Sequence, residues 1–183
     1  SDKTINLSFD EWNVWYQQNQ KEHEWQVAPE ILEDRYSLLD ALVFAGLGMT
    51  LVNNADRVKI ACLAQRVNVI APIFTGRKGR VVRQSIFYPF KELSLHARGT
   101  VLRPVVSCET VETKYGAAPR VFTAAVIGRD GKEMHVFCLN IGKEEPHEVL
   151  FDLSSFGDTD ITSWMQLNGP DLNVKYTFEA SNA

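Results

Sequence analysis

The chain has 183 residues, 45% hydrophobic and 23% charged, with a formal net charge of −4. That is ordinary globular composition, enough for one large domain or two small ones, and it excludes a disordered chain. The 19 Lys and Arg against 23 Asp and Glu are scattered, which removes the electrostatic case for nucleic acid.

Ile5, Leu7 and Phe9 alternate with Asn6 and Ser8, which predicts a half-buried strand ending at about Phe9. Asp10 and Glu11 then stand at its carboxyl end, followed by Trp12, Trp15 and Tyr16, rings that would line a groove. Sugars bind in such places, because their apolar C–H faces stack on rings while their hydroxyls reach carboxylates. The alternative is a strand end with solvated or capping acids and tryptophans packed in a core. Adjacent residues on an extended backbone point to opposite faces. Asp10 and Glu11 therefore cannot form the pair of carboxyls that glycoside hydrolysis places about the scissile bond.

A helix is predicted over residues 30–53, starting after Pro29 with Glu30, Glu33 and Asp34 in its first turns. Its run from Ala41 to Val52 is apolar on nearly every side, with Gly46 and Gly48 allowing close approach of a neighbour. The run is shorter than the about 20 residues of a membrane span. Residues 57–73, rich in Val, Ile and Ala, predict a buried strand leading to Gln65 and Asn68. Strand, helix and strand form a βαβ unit, whose parallel strands require a covered sheet or a barrel. In a parallel barrel the ligand site forms at the strands' carboxyl ends, which would bring Glu11, Gln65 and Asn68 to one pocket.

The basic cluster Arg77, Lys78, Arg80 and Arg83 reads as a solvated loop, and a helix is predicted over about 89–97. A domain boundary is placed near residue 99. Beyond it VLRPVVSCETVET, RVFTAAVIG, EMHVFCLNI, HEVLFDL and ITSWMQL read as short strands of an antiparallel β-sandwich. Asp130-Gly131 between two of them predicts a type I′ hairpin turn.

Cys62, Cys108 and Cys138 are odd in number and widely spaced, which favours reduced thiols in the cytoplasm. Cys62 is expected as a small buried hydrophobe. His23, His96, His135 and His147 show no metal-ligand spacing, and structural or surface roles are expected. Ser1–Asn6 is polar, so no cleavable signal is expected.

FDEWNVWY (9–16), LEDRYSLLDALVFAGLGMTLVNNADRVKIACLAQRVNVIAPI (32–73) and RQSIFYPFKELS (83–94) closely resemble the carboxyl-terminal part of family 51 α-L-arabinofuranosidases. LNGPDLNVKYTF (167–178) resembles it more loosely. The resemblance implies an α/β plus all-β chain. Residues 1–99 would supply the last two βα units of a (β/α)8 barrel, and residues 100–183 an incomplete β-sandwich. It also implies retaining hydrolysis of terminal α-L-arabinofuranosyl groups from arabinose-containing oligo- and polysaccharides, without metal or cofactor, in a cytoplasmic homo-oligomer, commonly a hexamer. Glu11 matches the family's nucleophile and Gln65 a glutamine that hydrogen-bonds the sugar. Trp15 matches a tryptophan at the mouth of the site, and Asp10 and Trp12 flank the nucleophile in supporting roles.

A complete barrel takes about 250 residues, and the family's acid/base glutamate in an Asn-Glu-Pro context has no counterpart here. The nearest strings are Ala28-Pro29-Glu30 and Glu145-Pro146-His147. The chain is expected to be a piece whose partner is the amino-terminal barrel portion. Two readings compete with it. One is a carbohydrate-binding module using Tyr115, Phe137 or Trp164, although aromatics on alternating strands more commonly fill a core. The other is a catalytically silent fragment.

Overall fold

A computed structural model of the chain describes residues 3–16, 27, 33–142 and 147–179. Strand β1 (Leu7–Trp12), helix α1 (Leu38–Asn53) and strand β2 (Val58–Leu63) follow one another, and β1 lies parallel to β2. Parallel neighbours need a crossover connection, which α1 supplies. β1 does not stop at Phe9, because pairing continues to Trp12 opposite Leu63. Asp10 and Glu11 therefore lie within the strand. Between Phe9 and Trp12 the register shifts: β1 advances three residues while β2 advances two, from Ala61 to Leu63. The extra residue makes a bulge at Asp10–Glu11, where strict side-chain alternation ends.

Helix α1 begins at Leu38, later than its acidic lead-in suggests; residues 30–32 lie outside the described residues. The cause is a capping box, in which Asp40 N donates to Ser37 Oγ at 3.4 Å and Ser37 N donates to Asp40 Oδ2 at 2.6 Å. Backbone carbonyls of Leu172 and Val174 accept from Leu39 N at 2.9 Å and Leu38 N at 3.0 Å, satisfying amides that a helix start leaves without partners. Glu33 and Asp34 precede the helix without regular secondary structure, in a segment tied down by Asp34 N donating to Val69 O at 3.1 Å and Tyr36 N to Gln84 Oε1 at 2.9 Å.

One face of α1 buries Leu38, Ala41, Phe44, Gly48 and Met49. Leu39, Val43 and Leu47, spaced four apart along the opposite face, stay nearly half exposed, so the helix is not buried on all sides. β2 also departs from expectation: Lys59 to Cys62 are exposed, Cys62 included, because a two-stranded sheet has little packed over it. After β2 the chain does not continue as one strand. It passes through left-handed residues Asn68 and Val69 into β3 (Ile73–Thr75), which pairs antiparallel with β4 (Val81–Arg83).

Helix α2 (Phe87–His96) starts two residues before the predicted Pro89 and packs against α1. A Cβ at Gly48 would overlap Leu93 of α2, so this glycine does permit the close approach. The buried cluster of Tyr36, Phe44 and Ile86 takes in Trp12, Val14, Tyr16, Leu63 and Phe90 around it.

β5 (Gly99–Leu102), β8 (Val121–Gly128) and β9 (Met134–Asn140) form a three-stranded antiparallel sheet in the order β5-β8-β9. β6 (Thr110–Thr113) and β7 (Gly116–Pro119) form a separate hairpin. α1 contacts β8 and β9, and Asn53 Nδ2 donates to Thr123 O at 2.9 Å. The β8–β9 hairpin occurs where expected, but its loop spans 129–133 and only Gly131 takes a positive φ, 70°, so the turn is not type I′. Residues 147–153 and 161–167, expected as strands, have no ladder partner among the described residues and are irregular.

The histidines are less scattered than their spacing suggests. His96 of α2 and His135 of β9 lie with ring centroids 4.5 Å apart, and their Nε2 atoms are 3.4 Å and 3.6 Å from Glu92 and Glu133. His23 lies outside the described residues.

Candidate active site

The paired parallel strands β1 and β2 deliver Glu11 and Gln65 from their carboxyl ends. Glu11 occupies the bulge, is exposed, and makes no side-chain hydrogen bond or ion pair among the described residues. Asp10 accepts a hydrogen bond from Ser8 Oγ, two residues back on its own strand. Gln65 follows β2 across a cis Ala64–Gln65 peptide and is likewise exposed.

The three rings after the acids part company. Trp12 turns inward and stacks on Phe44 at 4.5 Å, and Tyr16 packs beside Tyr36 with centroids 6.5 Å apart. They line the core and not a groove; Trp15 alone of the three remains open, 50% exposed. Asn68 also leaves the expected set. Its Nδ2 donates to Thr75 Oγ1 at 3.0 Å and its Oδ1 accepts from Thr75 N at 2.8 Å, which fastens the loop to β3.

Beneath the strand ends lies a buried polar layer that sequence reading missed. Tyr16 N donates to Asp34 Oδ2 at 3.2 Å, and Tyr16 OH donates to Asp40 Oδ1. Gln84 Nε2 donates to Ala71 O at 2.7 Å and to Asp34 O at 3.2 Å. Burial, with the neighbouring Asp40 charge, raises the Asp34 carboxyl above its ordinary range against the pull of the Tyr16 amide and Lys175. Burial and the hydrogen bond to Asp40 push Tyr16 up to about 12, which keeps its phenol a donor. Ser37-Leu38-Leu39-Asp40, a capping-box spacing, was the one signal of this layer.

Asn13 was also missed. Its Nδ2 donates to Ala64 O at 2.7 Å and Ile70 O at 2.6 Å, bracketing the segment that carries Gln65. A concavity of about 430 Å³ lies elsewhere, lined by residues including Asn53, Arg103, Val106, Cys108 and Phe122, and includes neither Glu11 nor Gln65. Among the described residues no group of three or more His, Cys, Asp or Glu is placed to hold a metal ion. No helix among them is long and apolar enough to cross a membrane. At and just beyond the paired strand ends the chain thus exposes a carboxylate, Glu11, with no side-chain partner among the described residues, an amide, Gln65, and an indole, Trp15, groups of the kinds that meet polyhydroxylated ligands.

A family model described as "Alpha-L-arabinofuranosidase C-terminal domain" matches residues 10–183. An exo-α-(1→6)-L-arabinofuranosidase of Bifidobacterium longum is 44% identical over 184 residues, covering 96% of this chain and 35% of the relative. An intracellular exo-α-(1→5)-L-arabinofuranosidase of Halalkalibacterium halodurans is 42% identical over 160 residues, covering 85% of this chain and 32% of the relative. The chain thus spans about a third of the length of these curated relatives. The structure of a family 51 α-L-arabinofuranosidase from Bifidobacterium longum superposes with a TM-score of 0.88 at 35% identity, covering 99% of this chain and 38% of the other. That of the Thermotoga maritima α-L-arabinofuranosidase arabinose complex gives 0.71 at 25% identity, covering 97% and 37%.

Proposed function

Because the chain belongs to the α-L-arabinofuranosidase C-terminal domain family, we propose that it carries the nucleophile of a retaining glycoside hydrolase acting on terminal α-L-arabinofuranosyl groups. The observation that carries this reading is Glu11: an exposed carboxylate without a partner among the described residues, held at a bulge where β1 ends beside the Gln65-bearing end of β2. Bulges next to active sites re-aim side chains, and a carboxylate free of ion pairs is available to attack.

In this reading Glu11 attacks the anomeric carbon and the bond to the leaving oxygen breaks, while a carboxylic acid from outside this chain protonates that oxygen. Water, deprotonated by the same outside residue, then releases arabinose with net retention. Gln65 hydrogen-bonds the sugar, Trp15 borders the leaving-group side, and Asp10 and Trp12 support the strand end. Residues 1–99 form the last two βα units of a (β/α)8 barrel whose earlier strands bring the acid, and residues 100–183 a β-sandwich. The exposed Leu39, Val43 and Leu47 face of α1 and exposed Leu7 and Phe9 of β1 are consistent with a preceding barrel portion packing there. The assembled enzyme is a cytoplasmic homo-oligomer, commonly a hexamer, acting on arabinose-containing oligo- and polysaccharides; several of its relatives are named as intracellular exo-acting enzymes.

The test is Glu11→Ala in the full-length enzyme, assayed with 4-nitrophenyl α-L-arabinofuranoside. Turnover should fall by several orders of magnitude with folding intact, because the covalent step is lost; a near-normal rate overturns the assignment. A second reading, polysaccharide binding, is favoured by Tyr115 and Trp164, which are 88% and 80% exposed and not core as expected. Retention of the chain on insoluble arabinan, lost on Trp164→Ala, would support it.

A further inference from the structure

We propose that Asn13 is a positioning residue for this reaction, a spacer that sets the gap between the strand end carrying Glu11 and the loop carrying Gln65; the proposal rests on the glycosidase reading above. In a regular parallel ladder a residue donates to one residue of the neighbouring strand and accepts from the residue two further on. Ala64 N donates to Trp12 O at 3.1 Å, so the next rung should be Val14 N to Ala64 O. That rung is not made directly. Val14 N donates to Asn13 Oδ1 at 2.8 Å, and Asn13 Nδ2 donates to Ala64 O at 2.7 Å, so a side-chain amide stands inside the rung.

The second Nδ2 hydrogen reaches Ile70 O at 2.6 Å. Tyr36 Oη adds contacts at 2.9 Å to Val14 O and 3.2 Å to Ile70 O. Asn13 thereby uses both of its N–H donors and its carbonyl. It fastens both ends of the 64–70 segment to a point two residues beyond Glu11. Here the amide wedges the two strand ends apart where the groups that meet the sugar leave them, and it fixes how far apart they stand. Small misplacements of reacting groups cost rate steeply, so such a spacer acts chiefly on the chemical step.

The test is Asn13→Asp in the full-length enzyme with 4-nitrophenyl α-L-arabinofuranoside as probe. The substitution keeps the shape and removes both donors, so at neutral pH a carboxylate faces two carbonyls. Protonation returns one O–H donor. The expected result is a kcat at least about tenfold below wild type near neutral pH with KM changed by less than about threefold. The ratio of variant to wild-type kcat should then climb as pH falls toward about 5, where the substituted carboxyl takes up its proton. Dividing by wild type cancels the titration of the enzyme's own acid and nucleophile.

A kcat within about twofold of wild type, or a loss carried by KM and unchanged with pH, overturns the proposal. Should that variant fail to accumulate as folded protein, Asn13→Ser decides: it is too short to span the rung, and a wild-type kcat in it overturns the proposal while a tenfold loss without pH recovery supports it. The glycosidase reading fails separately, through a Glu11→Ala enzyme that turns over normally.

Discussion

The buried and exposed positions of α1 give unequal predictions for substitutions three residues apart. Phe44 is fully buried, stacked on Trp12 at 4.5 Å and met edge-on by Phe90 at 6.2 Å. Truncating such a residue loses its transfer free energy, its ring contacts and the packing of the cavity left behind, so Phe44→Ala should cost about 3–5 kcal/mol. Leu47 is 44% exposed, so just over half of it has left water. Full burial of a leucine contributes about 1.5–3 kcal/mol, so Leu47→Ala should cost only about 1 kcal/mol in the 183-residue chain. Urea unfolding followed by tryptophan fluorescence and circular dichroism reads both. With a slope of about 2 kcal/mol per molar urea, Phe44→Ala should lower the midpoint by about 2 M and Leu47→Ala by about 0.5 M. Equal shifts, or a larger shift at Leu47, would refute the assignment of faces. In the full-length enzyme the Leu47→Ala cost should rise to about 2–5 kcal/mol if another portion of the protein covers that face.

Gln65→Ala in the full-length enzyme should weaken transition-state binding by about 1–3 kcal/mol, the range for one buried hydrogen bond; a loss as large as that of Glu11→Ala would make Gln65 part of the covalent chemistry. Asp34 has its folded-state pKa raised from 3.8, first by burial and then by the nearby Asp40 charge. A raised pKa means that the folded state holds the proton more tightly. The stability this contributes is fully present below the unfolded value and is lost as pH rises through the folded one. Asp34→Asn removes that dependence and keeps an oxygen for Tyr16 N. Wild type should therefore gain stability relative to the variant as pH is lowered toward 3.8, read from urea midpoints across the range. A relative loss by wild type on acidification would contradict the sign.

Features of the fold were legible in the sequence where the forces behind them leave a periodic trace. The parallel βαβ order was legible because apolar runs of different period succeed one another in 5–63. The start of α1 was not. Pro29 and the acids after it are generic helix-start signals, and they competed with Ser37 and Asp40, whose reciprocal capping bonds win while the Asp34 and Tyr36 amides are engaged by Val69 and Gln84 instead of by a helix. β2 reads as buried because its valine and isoleucine content records what the strand is suited to lie against. Its observed exposure records what packs on it within this chain.

The site divides the same way. Trp12, Trp15 and Tyr16 are all aromatic yet part between core and surface, since pairing ends at Trp12 and no fixed period governs the residues after it. Trp12 is drawn to Phe44 and Tyr16 to Asp40, and Trp15 is left outside. Glu11 was visible as acid at a strand end, and the role proposed for it comes from the resemblance and not from the strand pattern. Asn13 carried no signal, because a side chain standing in for a backbone rung depends on where two strands diverge, a relation between residues 51 positions apart. The bulge at Asp10–Glu11 and the inserted amide at Asn13 are both departures from the regular ladder, and they fall within four consecutive residues. A further register shift falls between Leu7 and Ser8, so the ladder is irregular along β1, and each departure is a place where a period-two reading of side-chain direction fails because the partner strand, not the local sequence, sets the register.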